Sequence, residues 1–159
     1  MRIIFLTIFL IFNLVAINQI YASEPTINLS EQEQKSELTI NLSEQKEPGT
    51  LLLALYSNEK TFKESVKRAK RSEIGVVAGM ELFLEPQESS LLTIKIPDGE
   101  YAMVLFIDSN GNEKLDKFFG IPQEQYGFSN NAGGKYTPPT FEQAKFNVSG
   151  KTVQNIQLK

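Results

Sequence analysis

The sequence predicts a mainly β protein: a single seven-stranded antiparallel β-sandwich with one short helix near residues 61–71. Three observations carry this. Seven short apolar runs are separated by turn residues, which is the pattern of a two-sheet β domain. One stretch alone has apolar residues at helical spacing, and a parallel α/β sheet needs a helix between most strands. With 159 residues, 41% of them hydrophobic, there is material for one ordinary domain.

The start of the chain is a separate segment. Met1-Arg2 supplies a positive charge, Ile3 to Ala16 is apolar apart from Thr7 and Asn13, and the stretch closes on Ile20-Tyr21-Ala22 before Ser23. A basic start, a short apolar core and a small residue at the cut describe a secretory signal peptide over residues 1–22. A membrane anchor needs about 20 predominantly apolar residues, and Asn13, Asn18 and Gln19 interrupt this one. Export to the periplasm or beyond is therefore expected, without stable membrane insertion after cleavage. The chain has no Cys, so neither disulfides nor a lipid-modified cysteine is expected, and the domain must stand on its core or on a metal. With no His either, zinc, copper and haem lose their usual ligands, which leaves hard, oxygen-seeking cations. The formal charge of −3 becomes −4 once Arg2 is lost, an acidity that argues against nucleic acid as a partner.

A short repeat follows: Thr-Ile-Asn-Leu-Ser-Glu-Gln stands at Thr26 to Gln32 and again at Thr39 to Gln45. Each copy alternates apolar and polar residues, as a half-buried strand does. Leu38 extends the apolar face of the second copy and Pro48-Gly49 turns the chain after it. That copy is expected in the sheet, and residues 23–36 are expected to be a flexible lead-in to a domain spanning 37–159. Leu51 to Tyr56 is apolar on both faces and reads as a central strand. Thr61-Phe62-Lys63-Glu64 is a capping-box pattern; Phe62, Val66 and Ala69 would form one buried stripe, with Lys63, Lys67, Arg68, Lys70 and Arg71 on the other face. That basic face reads either as a solvated surface or as a docking face for anionic headgroups. Met80 to Leu84 and Leu91 to Ile96 are further strands. Pro97-Asp98-Gly99 is expected to fold the second of them back as a hairpin onto the strand Tyr101 to Ile107, and Ser149-Gly150 to do the same for the last two strands.

The strand from Tyr101 runs into Asp108-Ser-Asn-Gly-Asn-Glu-Lys-Leu-Asp116. Asp108, Asn110, Asn112 and Asp116 occupy positions 1, 3, 5 and 9 of a calcium-loop spacing, and the carbonyl of Lys114 would add a ligand at position 7. A helix-flanked hand is excluded, because position 6 is Glu113 rather than Gly and position 12 is Phe119 rather than Glu. A strand-flanked site with a further ligand from Glu124 stays open, beside a metal-free turn in which the Asx side chains bond their own backbone.

Phe118 to Phe141 is a long connection rich in aromatic residues, Gly, Asn and Pro, with no clear period. Phe119, Tyr126, Phe128 and Tyr136, with Asn130 and Asn131, could stack on and hydrogen-bond a sugar or another flat ligand. Alternatively these aromatics fold back to pin the loop. No triad or thiol nucleophile is available without His and Cys, and the spacing of the carboxylates favours no glycosidase pair. No enzyme is expected.

The motifs from Gly99 onward form an ordered series: Gly99-x-Tyr101-Ala102, Asp108-x-Asn110-Gly111-Asn112-x-x-Leu115-Asp116, Phe119-Gly-Ile-Pro122, Tyr126-Gly-Phe-Ser-Asn-Asn131, and Pro139-x-Phe141-x-x-Ala144-x-Phe146. This series resembles the bacterial exported family known as domain of unknown function 2141. The resemblance implies a single exported β-sandwich of immunoglobulin-like or transthyretin-like character and implies no activity. Ile107 stands where members of that family often carry a His, so no role of that His transfers. The expected function is an exported, non-enzymatic binding or structural module with a calcium-stiffened loop. The alternative is carbohydrate-directed binding or hydrolysis at the aromatic insert, with a glycan or an envelope component as partner.

Overall fold

The computed structural model describes residues 35–70, 75–134 and 137–159. The 1–22 leader, the first repeat copy, Arg71 and Tyr136 lie outside the described residues.

Strand β1 (Lys35–Leu42) is the second repeat copy, and it begins two residues before the expected boundary at 37. Its alternation does what the pattern predicts: Leu38, Ile40 and Leu42 are buried. β2 (Gly49–Tyr56) is buried on both faces, with Leu51, Leu53 and Leu55 in one apolar cluster and Leu52, Ala54 and Tyr56 in another. Helix α1 (Glu59–Arg68) starts earlier than the capping box suggests. Asn58 is the cap, its side chain accepting from the N–H groups of Lys60 (2.8 Å) and Thr61 (3.4 Å). The helix stops at Ala69, which adopts a left-handed φ of 50°. Phe62 anchors it, edge-on to Tyr56 and to Phe141, while the Tyr56 hydroxyl bonds Ser65 Oγ at 2.8 Å.

β3 (Val76–Leu84), β4 (Ser90–Pro97) and β5 (Gly99–Asp108) follow. The Phe118–Phe141 connection is more regular than its composition suggests. It holds a hairpin of β6 (Lys117–Phe118) and β7 (Ile121–Pro122), then β8 (Tyr126–Phe128) and a 3-10 turn at Ser129–Asn131. A short helix α2 (Phe141–Ala144), capped by Thr140 and Gln143, leads to β9 (Phe146–Val148) and β10 (Lys151–Ile156).

The protein is mainly β, but with ten strands among the described residues rather than seven, and not all are antiparallel. One sheet runs β10–β1–β4, with β1 antiparallel to β4 and parallel to β10. The other runs β3–β2–β5–β8, with β9 pairing the start of β5. Parallel pairing is open to β1 and β10 because they are far apart in the chain; Asn41 and Asn155, which bond across the pair, are 114 residues apart. Both expected hairpins are crossings instead: Pro97-Asp98-Gly99 and Ser149-Gly150 each carry the chain from one sheet to the other. Burial gives the reason. β4 and β10 are buried on one side only, whereas β5 is buried on both and so lies in the sheet that is covered twice. Residues from both sheets share the first core cluster; α1 and α2 cover the outer face of the larger sheet and form the second.

Candidate functional site

β5 ends at Asp108, whose carboxylate is buried (4% exposed) and faces a ring of backbone donors. Oδ1 accepts from the N–H groups of Asn110 (3.2 Å), Gly111 (2.7 Å) and Asn112 (3.3 Å), and Oδ2 from that of Glu113 (2.7 Å). The Asn side chains close the rest. Asn110 Oδ1 accepts from Asn112 N and Asn112 Oδ1 from Lys114 N, while both amide groups donate to the Asp116 carboxylate at 2.6–3.2 Å. Four of the five loop residues singled out in the sequence, Asp108, Asn110, Asn112 and Asp116, thus converge through side chains. Lys114 joins through its backbone. Glu113 takes a φ of 58° at the position where a calcium loop carries Gly for its sharp bend. No three His, Cys, Asp or Glu side chains group as metal ligands among the described residues.

Glu124, eight residues past Asp116, locks this loop. Oε1 accepts from the Ser109 N–H (2.9 Å) and hydroxyl (3.0 Å), and Oε2 accepts from the Asp116 N–H at 3.0 Å. Its carboxylate is buried against both ends of the loop and faces backbone rather than solvent. Beyond the loop, the Leu115 N–H donates to the Ala69 carbonyl at 2.7 Å and Lys114 bridges to Lys70, so the loop is stitched to the end of α1.

That stitch closes one wall of a cleft. Its floor is the outer face of the larger sheet, from Leu52, Ala54, Val104, Phe106, Tyr126 and Phe128. Val66 of α1 and Ala69 at its end form one side, Leu115, Gly120 and Pro122 the other, and Lys70 and Lys117 stand at the rim. The space held between these walls is small, about 60 Å³, room for a slender group. Ala54 and Val104 are directly paired in the sheet, so two short side chains meet where their neighbours Leu52, Tyr56 and Phe106 are large. This dip beneath the helix was not legible as a site, since its residues come from separate segments; the small pair amid large ones is its one local signal.

The residues of the aromatic insert do not come together as one surface. Tyr126 and Phe128 are buried with their rings 5.9 Å apart, and both lie in the cleft floor. Phe119 projects from the β6–β7 turn and is 91% exposed. The amide of Asn130 donates to the Lys145 carbonyl (2.8 Å) and that of Asn131 to the Asn155 carbonyl (2.9 Å), tying the 3-10 turn to neighbouring segments. Asn131 Oδ1 also accepts from the Gln157 N–H at 2.7 Å. Tyr136 lies outside the described residues.

A family profile described as an uncharacterized protein conserved in bacteria, domain of unknown function 2141, matches residues 40–157. The chain belongs to this family. The match runs from within β1 to just past β10 and so takes in the loop, the cleft and the insert. No curated protein and no solved structure matches the chain.

Proposed function

We propose that this member of the family is an exported, non-catalytic binding module whose site is the cleft beneath α1, and that its ligand is a slender apolar molecule bearing an anionic group. The carrying observation is the cleft itself: an open, largely apolar space over the Ala54–Val104 dip, with Lys70 and Lys117 at its rim. Apolar walls with a few placed charges are the usual make-up of a small-molecule site. The non-catalytic reading is supported by the lack of His and Cys and by the engagement of the buried carboxylates Asp108 and Glu124 with backbone donors. The leader pattern at residues 1–22 supports export. Two sheets sharing one core favour an immunoglobulin-like or transthyretin-like sandwich as the parent architecture.

The test is displacement of a fluorescent polyene fatty acid by long-chain acids and by alcohols of equal length. Saturable binding is expected. Val104→Trp, which fills the cleft from its half-buried floor, should weaken it at least tenfold. Lys70→Glu with Lys117→Glu should weaken the acids and spare the alcohols. Binding unchanged by Val104→Trp overturns the reading.

A second reading concerns the Asp108 loop, as a calcium-stiffened wall of this cleft. Its specific support is the left-handed Glu113 at position 6, which gives the loop a calcium-loop bend without the usual Gly. A glycan surface on the insert has less support, because the amides of Asn130 and Asn131 already bond backbone carbonyls.

A further inference from the structure

The β6–β7 hairpin carries side chains that folding does not explain. Phe118 is 64% exposed, Phe119 91% and Ile121 45%, all within a span of four residues. Phe119 also holds a left-handed φ of 48°, followed by Gly120 at 80°. Such a two-residue turn favours Asn-Gly, and a bulky residue is uncommon in it. Neither burial nor backbone preference accounts for a Phe at this tip in water.

The tip is presented on a fixed base. The Gln123 N–H donates to the Asp116 carbonyl at 2.8 Å, the Asp116 N–H to Glu124, and the Phe118 and Phe119 rings meet edge to face at 4.6 Å. Most of the acids around it are withdrawn, and the exposed one, Glu113, is paired with Lys70. Asp108 and Glu124 are buried, and the Asp116 carboxylate receives the two Asn amides. Lys114 and Lys117 are exposed at the hairpin's root. Lys70, 3.9 Å from Glu113, brings the basic end of α1 beside them. An aromatic point with lysines at its root matches the acyl–headgroup boundary of an anionic bilayer, where apolar side chains enter and cations meet the headgroups.

We propose that the β6–β7 hairpin docks this protein on an anionic lipid surface, with Phe118, Phe119 and Ile121 inserted and Lys114 and Lys117 against the headgroups. This rests on the hairpin and the lysines at its root, of which Lys117 is shared with the cleft rim, and the insertion of the aromatic tip stands whether or not the cleft holds a ligand.

The experiment is co-sedimentation of the exported protein, its N-terminus checked by mass spectrometry, with phosphatidylglycerol-containing or pure phosphatidylcholine vesicles across a salt series. The parent should bind the anionic vesicles and release as salt rises. Phe118→Ser with Phe119→Ser should weaken binding at least about tenfold, from the apolar area withdrawn. Lys114→Gln with Lys117→Gln should weaken it roughly tenfold or more at low salt. The chain has no Trp, so Phe119→Trp places a single indole at the tip, and its emission should shift to the blue on anionic vesicles. No binding by the parent overturns the proposal, as do equal binding to phosphatidylcholine, a serine double variant that binds like the parent, or an indole that stays in water.

Discussion

Replacing Asp108 by Ala tests whether the loop is held by that one carboxylate. Four backbone N–H groups point at it, yet they do not count equally. The contacts from Gly111 and Glu113 are both 2.7 Å, one on each oxygen, while those from Asn110 and Asn112 are 3.2 and 3.3 Å and share Oδ1 with the first. Two strong charge-assisted bonds at about 1.5 kcal/mol each give a loss of about 3 kcal/mol. For a domain of this size, that lowers the melting temperature by about 10 °C. Asp108→Asn should lose less, since it keeps one acceptor oxygen and sets an amide N–H against a single donor.

The assay is a thermal melt followed by circular dichroism, in EDTA and in millimolar calcium. In EDTA the Ala variant should melt about 10 °C below the parent. If the calcium reading of the loop holds, the parent should gain about 1–2 kcal/mol at 5 mM calcium, from dissociation constants usual for extracellular modules, and the Ala variant should gain nothing. An Ala variant within about 2 °C of the parent would refute the account of the loop as a carboxylate-centred cage. A calcium response surviving in that variant would remove the ion from this loop.

Two other sites give sharp expectations. Ser129 is fully buried; its Oγ accepts from the Met103 N–H at 2.9 Å and donates to the Ala144 carbonyl at 2.5 Å. Ser129→Ala strands both groups and should cost about 2–4 kcal/mol in a denaturant melt. Burial, and then the Asp98 carboxylate, raise the pKa of Tyr101 above its ordinary 10.0, and its hydroxyl donates to the Pro97 carbonyl at 3.0 Å. The unfolded chain then ionises first, so this contribution is whole below pH 10 and drains away as pH climbs through the higher folded value. Tyr101→Phe should flatten that alkaline decline, read as melting temperature against pH from 8 to 12.

Local period made the strands legible and left their partners obscure. The alternation of Leu38, Ile40 and Leu42 and the two-sided run from Leu51 to Tyr56 each fix a burial pattern within a few residues, and both patterns appear in the fold. Pairing is another matter. Pro97-Asp98-Gly99 has the chemistry of a sharp turn whether the chain doubles back or passes to the facing sheet. What separates the outcomes is that β4 is covered on one side and β5 on two. At the helix start, Asn58 and Thr61 are both good caps; Asn58 takes the role, and Thr61 Oγ1 instead donates to the Asn58 carbonyl at 3.0 Å. The Asp108 loop was legible because its residues lie within nine positions of one another. Glu124 was reachable as a nearby acid, although what it meets is backbone N–H groups and the Ser109 hydroxyl. The cleft draws on β2, α1, β5, β8 and the loop's far end, and no single window of sequence contains it.

Loop and cleft share a wall, which makes their energies interdependent. Leu115 lines the cleft while its N–H donates to the carbonyl of Ala69, the left-handed residue that ends α1. A loop that loses the Asp108 cage therefore releases the residue that positions the helix terminus, and the cleft loses a side. If the cleft is the binding site, Asp108→Ala should weaken the polyene probe under conditions where the variant is still folded, and should speed exchange of the Leu115 amide. Reciprocity then demands that a cleft ligand raise the melting temperature of the parent more than that of the variant. Equal probe affinity in a folded Asp108→Ala protein, with Leu115 still protected, would mean that the helix end is held by its packing through Phe62 and Val66, and that the loop is a neighbour of the site rather than part of it.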